Sequence, residues 1–520
     1  MIEKRLLFVS ILTVCSFSAV AEPGWRFKWP KLLPQVQEAT YDETKRVTLG
    51  EGFKVRLAVG DGTDMSEWVR GKFADWEKTS VRIEKAESGE VRGGEEGYVL
   101  TARPDAITIA ANTGKGVRLA MMTLRQILQP RRGTLKIAGM ETCEFTLADW
   151  PELKYRFMDL LDFPEQALPR LERQIRMAAY YKFNYVILEF VGTYRFRCCP
   201  WYGFGDIRGV TAEDMRRLVE VARDLGVTLV PAFPSWGHAS LAGCGSSKNG
   251  VLERSPEYAP LFEPGTDWNW CLTNPEAHKV IDAMVAELYE VFGRPPFFHL
   301  CCDEASPPEC ATCCGTNYSQ VVSAHIARMC DKVVRLGARP MIWHDMLLKK
   351  GDERWKGFYA NGTDETAALV RKLPKDLIVC DWFYGKPTED GIYPTVDYFR
   401  SLGYTTFTCP WVDFGGMKAQ CRYALEHGLD GVVITTWTAI RGKWGKNLYR
   451  FGASGAWSRK ALEDDHSFNP STGSYIALHW RQVGNDTPGG ADYLNQGFNR
   501  EQFFIDNTIY DDGEGNGTDW

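Results

Sequence analysis

Two rhythms of apolar and polar positions divide this chain. Between about residues 40 and 148, short runs alternate apolar and polar residues: RVTL, FKVRLAV, SVRIEKA, GYVLTA and AITIAA. Side chains two apart share a face of a strand, so these read as half-buried strands. TGKGVRLAMMTLRQIL then changes to helical spacing, with Val117, Leu119, Ala120, Thr123, Leu124, Ile127 and Leu128 on one side. PRRG, from Pro130, is expected to stop that helix. Together these predict a small α+β unit.

From Asp149 onward, apolar runs alternate with amphipathic helices. The runs are KYRFMDLLD (154–162), NYVILEF (184–190), VTLVPAF (227–233), PFFHLCCD (296–303), PMIWHDM (340–346), LIVCDWF (377–383), YTTFTCPW (404–411) and GVVITTW (431–437). PEAHKVIDAMVAELYEVFG is the clearest helix. Asn274 is placed to cap it, Pro275 suits its first turn, and Gly293 suits its end. SQVVSAHIARMCDKVVRLG repeats the pattern and ends on Gly337. Eight strand runs, most followed by a helix, predict an α/β protein with a (β/α)8 TIM barrel over about 150–450. An open doubly wound sheet is the rival, but no G-x-G-x-x-G or P-loop follows the first strand. The expected organisation is a leader 1–21, an N-terminal α+β domain 22–148, a barrel 149–450 and a C-terminal extension 451–520.

Composition narrows the classes. The chain has 520 residues, long enough for one large domain and lesser ones, and its net charge of −6 includes no long basic run. No nucleic-acid partner is expected. Eighteen tryptophans suit a carbohydrate ligand, whose pyranose CH faces stack on flat rings, although core packing must claim most of them. MIEKRLLFVSILTVCSFSAVA has a basic start, a short apolar run and an A-x-A site at Ala19–Ala21. This predicts a secretory leader cleaved after Ala21 and an exported, periplasmic or extracellular chain. No segment is long and apolar enough for a membrane span. With Cys15 in the leader, 14 of 15 cysteines remain, an even number compatible with disulfides or buried thiols. Cys310-x-x-Cys313 alone is half of a structural zinc set, so no metal and no cofactor is assigned.

Candidate chemistry gathers at strand ends. FFHLCCDEAS carries a buried-looking run into Asp303 and Glu304, and two adjacent carboxylates are costly to bury without a task. Glu189, Asp345 and Asp381-Trp382 also close strands, and His238 follows the third in FPSWGHAS. In a (β/α)8 barrel these ends form the active-site face. Alternation puts His299, Cys301 and Asp303 on one face, with Cys302 and Glu304 on the other. Both acids reach one pocket only if the strand ends or bends near Asp303.

HLCCDE resembles the H-x-G-G-D-E motif of family-20 glycoside hydrolases, the β-N-acetylhexosaminidases. DWPELKYRFMDLLD, YYKFNYVILEF, SWGHA, LTNPEAHKVIDAMVAELYEVF and IWHDML resemble that family's successive barrel segments. EGYVLTARPDAITIAANTGKGVRLAMMTLRQIL resembles its preceding small domain. The resemblance implies substrate-assisted retaining hydrolysis, in which the substrate's own 2-acetamido oxygen attacks the anomeric carbon. It makes Glu304 the general acid and base, needing a raised pKa, and Asp303 the ionised residue that orients the acetamido group. Arg156 and Glu189 are expected to bind the sugar. His238 and His299 are expected to tune the pair. Trp343, Asp345, Trp382, Trp411, Asp413 and Trp437 are expected to complete the pocket.

Several motif positions differ from the family. Cys301-Cys302 replaces Gly-Gly. Asp159 and Asp162 are the counterparts offered for the acid that follows the sugar-binding arginine. The segment expected to carry the acetamido-binding tyrosine reads PWVDF, without a hydroxyl. Trp437-Thr438-Ala439 lacks the last carboxylate of W-x-E. A non-catalytic carbohydrate-binding protein on this barrel, and a metal-dependent hydrolase using the His/Cys/Asp cluster, are the competing classes.

Overall fold

The computed structural model describes residues 25–463 except 88, 90, 133–136, 164–167, 204–208, 241–250, 265–267 and 442–443. The leader and nearly all of the C-terminal extension therefore lie outside the described residues.

The N-terminal unit holds strands β1 (Glu38–Leu49), β2 (Phe53–Val59), β3 (Val81–Lys85), β4 (Tyr98–Arg103), β5 (Ala106–Ala111), β6 (Gln129–Arg132) and β7 (Ile137–Asp149), with helices α1 (Ser66–Glu77) and α2 (Gly114–Ile127). The sheet runs β1-β7-β4-β5-β2-β3, and β6 pairs with β7. All five predicted strands and the predicted helix are present. Three elements, α1, β6 and β7, escape the sequence reading. α1 buries only Val69 and Phe73, too thin a stripe to register. β7 alternates legibly through buried Cys143, Phe145 and Leu147. Pro130 sits in β6, beyond the end of α2, where a short strand paired on one side needs no N–H from it.

Eight parallel strands then close into a barrel: β8 (Tyr155–Asp162), β9 (Tyr185–Phe190), β10 (Thr228–Ala232), β11 (Phe297–His299), β12 (Arg339–Trp343), β13 (Ile378–Asp381), β14 (Thr405–Thr408) and β15 (Gly431–Ile434). Each predicted run overlaps one of them. β15 returns to β8 with Val432 opposite Arg156. The surrounding helices are α3 (Leu168–Tyr180), α4 (Ala212–Asp224), α5 (Val251–Arg254), α6 (Pro275–Val291), α7 (Ala311–Cys314), α8 (Tyr318–Leu336), α9 (Asp364–Leu369), α10 (Pro394–Ser401), α11 (Phe414–Glu426), α12 (Trp444–Trp457) and α13 (Arg459–Glu463). Asn274 caps α6, its side chain accepting from the Glu276 N–H at 2.9 Å. Gly337 ends α8 at φ +101, a conformation glycine adopts freely. No described helix is long and apolar enough to cross a membrane.

The expected boundary at 450/451 falls inside a helix. α12 runs through it, and its last residue, Trp457, is buried against the N-terminal unit. The Trp457 indole donates to Asp149 at 2.9 Å. Asp149 also pairs with Lys182 at 2.7 Å, both fully buried. A charge pair this dry is retained only with its remaining hydrogen bonds met. Tyr98 and the Gln37 N–H supply two of them.

Candidate active site

Strand parity decides which side chains enter the barrel. Phe157, Ile187, Phe297, Met341, Cys380, Phe407 and Val433 fill its interior. Two residues further along β8, Asp159 is buried on the same inward face, which the partly buried Glu189 on β9 shares. Burial and the neighbouring charges of Glu189, Cys380 and Asp303 hold the Asp159 carboxyl well above its usual range. Glu189 is raised by burial and by the Asp303 charge.

The bend that the acid pair requires is present. β11 ends at His299, four residues before Asp303, and the chain then turns through left-handed conformations at Cys301 (φ 55), Cys302 (φ 69) and Glu304 (φ 46). Glycine takes these angles freely, whereas an L-residue is strained in each. His238 (φ 56) and Trp437 (φ 40) are left-handed too, so five of the eight non-glycine positive-φ residues described belong to this site. Strain of this kind persists where surrounding contacts over-determine it. The Glu304 N–H donates to Asp345 at 3.0 Å, and its carbonyl accepts from the Trp268 indole at 2.6 Å. Gly237 has no Cβ because one would lie 2.2 Å from the Asp303 carbonyl. That close approach seats His238 over the pair, its Nε2 3.4 Å from Asp303 and 3.3 Å from Glu304.

Above the turn opens a cavity of about 890 Å³, mouth included. Asp303 and Glu304 meet Trp382, Tyr384, Trp411 and Trp437 across it, with Glu189 and Cys301 also in its wall. Asp303 is nearly buried, and Glu304 is about half exposed toward the mouth. Asp345 lies behind the wall. One oxygen accepts from Glu304 and from Asn361, and the other accepts from the Trp382 indole at 3.1 Å. Burial and the Asp303 charge push its carboxyl up to about 6. The Trp411 indole donates to the Thr436 carbonyl at 3.0 Å, which fixes that wall. His238, Asp303 and Glu304 present ligand atoms within 4.8 Å of one another, a spacing a divalent ion would also accept.

Four expected site residues fall elsewhere. Arg156 has the outward parity of Met158 and Leu160 and lies at the opposite, N-terminal end of β8. It is buried, bonded to Glu96 twice at 2.8 Å, to the Leu153 carbonyl at 2.8 Å and to the Lys182 carbonyl at 3.0 Å. It therefore ties the two domains together and cannot reach a sugar at the other end. Asp413 caps α11, accepting from the Gly415 N–H at 3.0 Å, and does not line the cavity. Trp343 is buried one layer deeper, behind Trp437 at 5.4 Å and against His299 at 4.2 Å. His299 is likewise inside the barrel, its Nδ1 accepting from the Cys301 N–H at 3.1 Å, so it holds the turn rather than facing the cavity.

The sequence reading missed two contributors. Tyr384, on the loop after β13, lines the cavity. DWFY, an acid followed by three aromatics at a strand end, was the available signal. Trp268, which holds the Glu304 carbonyl, lies on a loop with no periodicity to reveal it.

A carboxylate pair with aromatic walls thus sits at the C-terminal mouth of a (β/α)8 barrel, an arrangement suited to glycoside chemistry. Two family models match the chain: Glycosyl hydrolase family 20, domain 2, over residues 29–142, and Glycosyl hydrolase family 20, catalytic domain, over residues 188–384. The chain belongs to glycosyl hydrolase family 20. The mouse β-hexosaminidase subunit alpha is 25% identical over 334 residues, 56% of this chain, and the match spans 59% of the mouse protein. The family-20 exo β-N-acetylglucosaminidase of Vibrio harveyi superposes with a TM-score of 0.67 at 16% identity, covering 89% of this chain and 79% of its own. The Bacteroides fragilis β-N-acetylhexosaminidase gives 0.64 at 17% identity, over 87% and 95%. These structural likenesses establish the shared fold.

Proposed function

We propose that the protein is an exo-acting β-N-acetylhexosaminidase working by substrate-assisted, retaining hydrolysis. The observation that carries this reading is the left-handed turn after β11, which aims Asp303 and Glu304 into one aromatic-walled cavity beneath His238. Glu304, on the open side, protonates the departing glycosidic oxygen and then takes a proton from water. Asp303, deeper, holds the acetamido N–H and offsets the positive charge of the oxazolinium ion. The Tyr384 hydroxyl donates to the acetamido oxygen as it attacks. Trp382, Trp411 and Trp437 enclose the acetamido group and the sugar ring. The nearest carboxyl oxygens of the pair lie within 4.8 Å, against roughly 6.5–9.5 Å where a water must fit between two acids in inverting enzymes. Action outside the cytoplasm is part of the proposal and rests on the leader sequence.

The test is release of nitrophenol from aryl N-acetyl-β-glucosaminide and galactosaminide by wild type and Glu304→Gln, with product anomers followed by NMR. Retained configuration, loss of turnover in Glu304→Gln, and competitive inhibition by a thiazoline mimic of the oxazolinium ion are expected. Inverted product, or an undiminished variant, would refute the mechanism.

A further inference from the structure

Behind the catalytic turn lies a second cluster that the glycosidase chemistry does not use. Cys271, on the loop before α6, brings its Sγ to 3.8 Å from Cys310 and 3.8 Å from Cys313. Glu263 completes the group, and all four ligand atoms lie within 4.8 Å of one another. Glu263 and Cys271 precede Cys310 and Cys313 by 39 to 50 positions in sequence. Only the packing of the third barrel loop against the fourth assembles them. All thirteen described cysteines are free, with Cys15 and Cys244 outside the described residues.

We propose that Glu263, Cys271, Cys310 and Cys313 form a structural zinc site. The sulfur spacing matches a tetrahedron, since zinc–sulfur bonds of about 2.3 Å imply sulfur–sulfur edges of about 3.8 Å. A disulfide would draw one pair to about 2.05 Å and leave the third thiol aside. Donors to the sulfurs are already in place. The Cys313 N–H points at Cys310 Sγ at 3.2 Å, and the Thr273 hydroxyl lies 3.1 Å from Cys313 Sγ. Such contacts orient and stabilise metal-bound thiolates. Glu263 gives the independent indication. One of its oxygens accepts from the Glu309 and Cys310 N–H groups at 2.9 and 2.8 Å. The other is buried with no hydrogen-bond partner among the described residues. A buried carboxylate oxygen left bare is costly, and a cation removes that cost. On binding, Zn²⁺ takes three thiolates, whose protons leave to solvent.

The site closes a short link to the catalytic turn. Cys310 lies six residues after Glu304, and Cys271 lies three after Trp268, whose indole holds the Glu304 carbonyl. Between them, Asn269 bonds both the N–H and the carbonyl of Ser306. The metal thus clips together the two loops that set the Glu304 backbone.

Metal content of the purified full chain, produced with zinc in the medium, tests this by plasma mass spectrometry. About one zinc per chain is expected in wild type and in Cys314→Ser, whose exposed thiol lies outside the set. At least a tenfold loss is expected in Cys310→Ser/Cys313→Ser. Cobalt replacing zinc in wild type should give the intense near-ultraviolet absorption of thiolate–cobalt bonds. Should the double variant fail to fold, alkylation of wild type decides: Cys271, Cys310 and Cys313 should react only after chelation, Cys314 at once. A folded wild type without zinc would overturn the proposal. So would a disulfide joining any two of the three cysteines in a non-reduced digest, or zinc that persists in the double variant at the His238–Asp303–Glu304 cluster. None of these readouts depends on glycosidase activity.

Discussion

Replacing Arg156 by Met separates a sugar-binding role from a structural one. The change removes four hydrogen bonds, two of them to the Glu96 carboxylate, and leaves the Leu153 and Lys182 carbonyls without that donor. Breaking a buried ion pair from one side costs roughly 3–5 kcal/mol. The Glu96 side chain is 18% exposed, so water can restore part of its solvation, which favours the lower end, about 3 kcal/mol. That is on the order of a hundredfold in the folding equilibrium. The guanidinium is far from the chemistry. Six residues of β8 separate Arg156 from Asp162, roughly 20 Å of strand. A fall in the urea midpoint is therefore expected, with kcat and KM for the aryl glycoside within about twofold of wild type. A cycle with Glu96→Gln should show a coupling above about 1 kcal/mol, because the two changes remove one interaction. An unchanged midpoint with a tenfold higher KM would refute the reasoning and return Arg156 to the sugar site.

Asp303→Asn should cost turnover as severely as Glu304→Gln, each by about 10²-fold or more; a mild Asp303 variant would show that another group meets the acetamido charge. Tyr384→Phe should lower kcat by roughly 10²-fold with little change in thermal midpoint, as for loss of one donor to a developing charge; unchanged kcat would exclude the phenol from the reaction. Asp345 has a folded-state pKa raised to about 6 from 3.8, so the folded protein holds its proton more tightly than the unfolded chain. Its contribution to stability is fully present below about pH 4 and is lost as pH rises through about 6, by up to about 3 kcal/mol. The urea midpoint of wild type relative to Asp345→Asn should therefore decline between pH 4 and 7, and a flat difference would contradict it. Cys302→Gly should alter the urea midpoint little, because relief at φ 69 offsets the lost thiol contacts, whereas Cys302→Val should lower stability by about 2 kcal/mol or more.

The sequence by itself determined the barrel and singled out the acid pair at its mouth. Alternation of period two and helical stripes of period 3.6 report which face of each element is buried, and burial is set largely by local pattern. That is why all eight barrel runs, α6 with its Asn274 cap and the end of α8 at Gly337 were legible. The acid pair was legible because no buried strand tolerates Asp303-Glu304 without a task. The same alternation also demanded a bend after His299, and the left-handed residues at 301, 302 and 304 supply it.

What only the tertiary structure decided concerns side chains whose partners are distant in sequence. Arg156 carries the motif position of a sugar ligand, yet its parity and its end of β8 turn it toward Glu96 on the other domain. Tyr384 enters the cavity from the loop after a neighbouring strand, a placement no linear motif records. Cys310-x-x-Cys313 was half of a metal set until loop packing delivered Cys271 and Glu263. The physical reason is common to all three. Periodicity fixes the direction of a side chain relative to its own element, whereas a site depends on where several elements point at once, and that is settled by how the barrel closes.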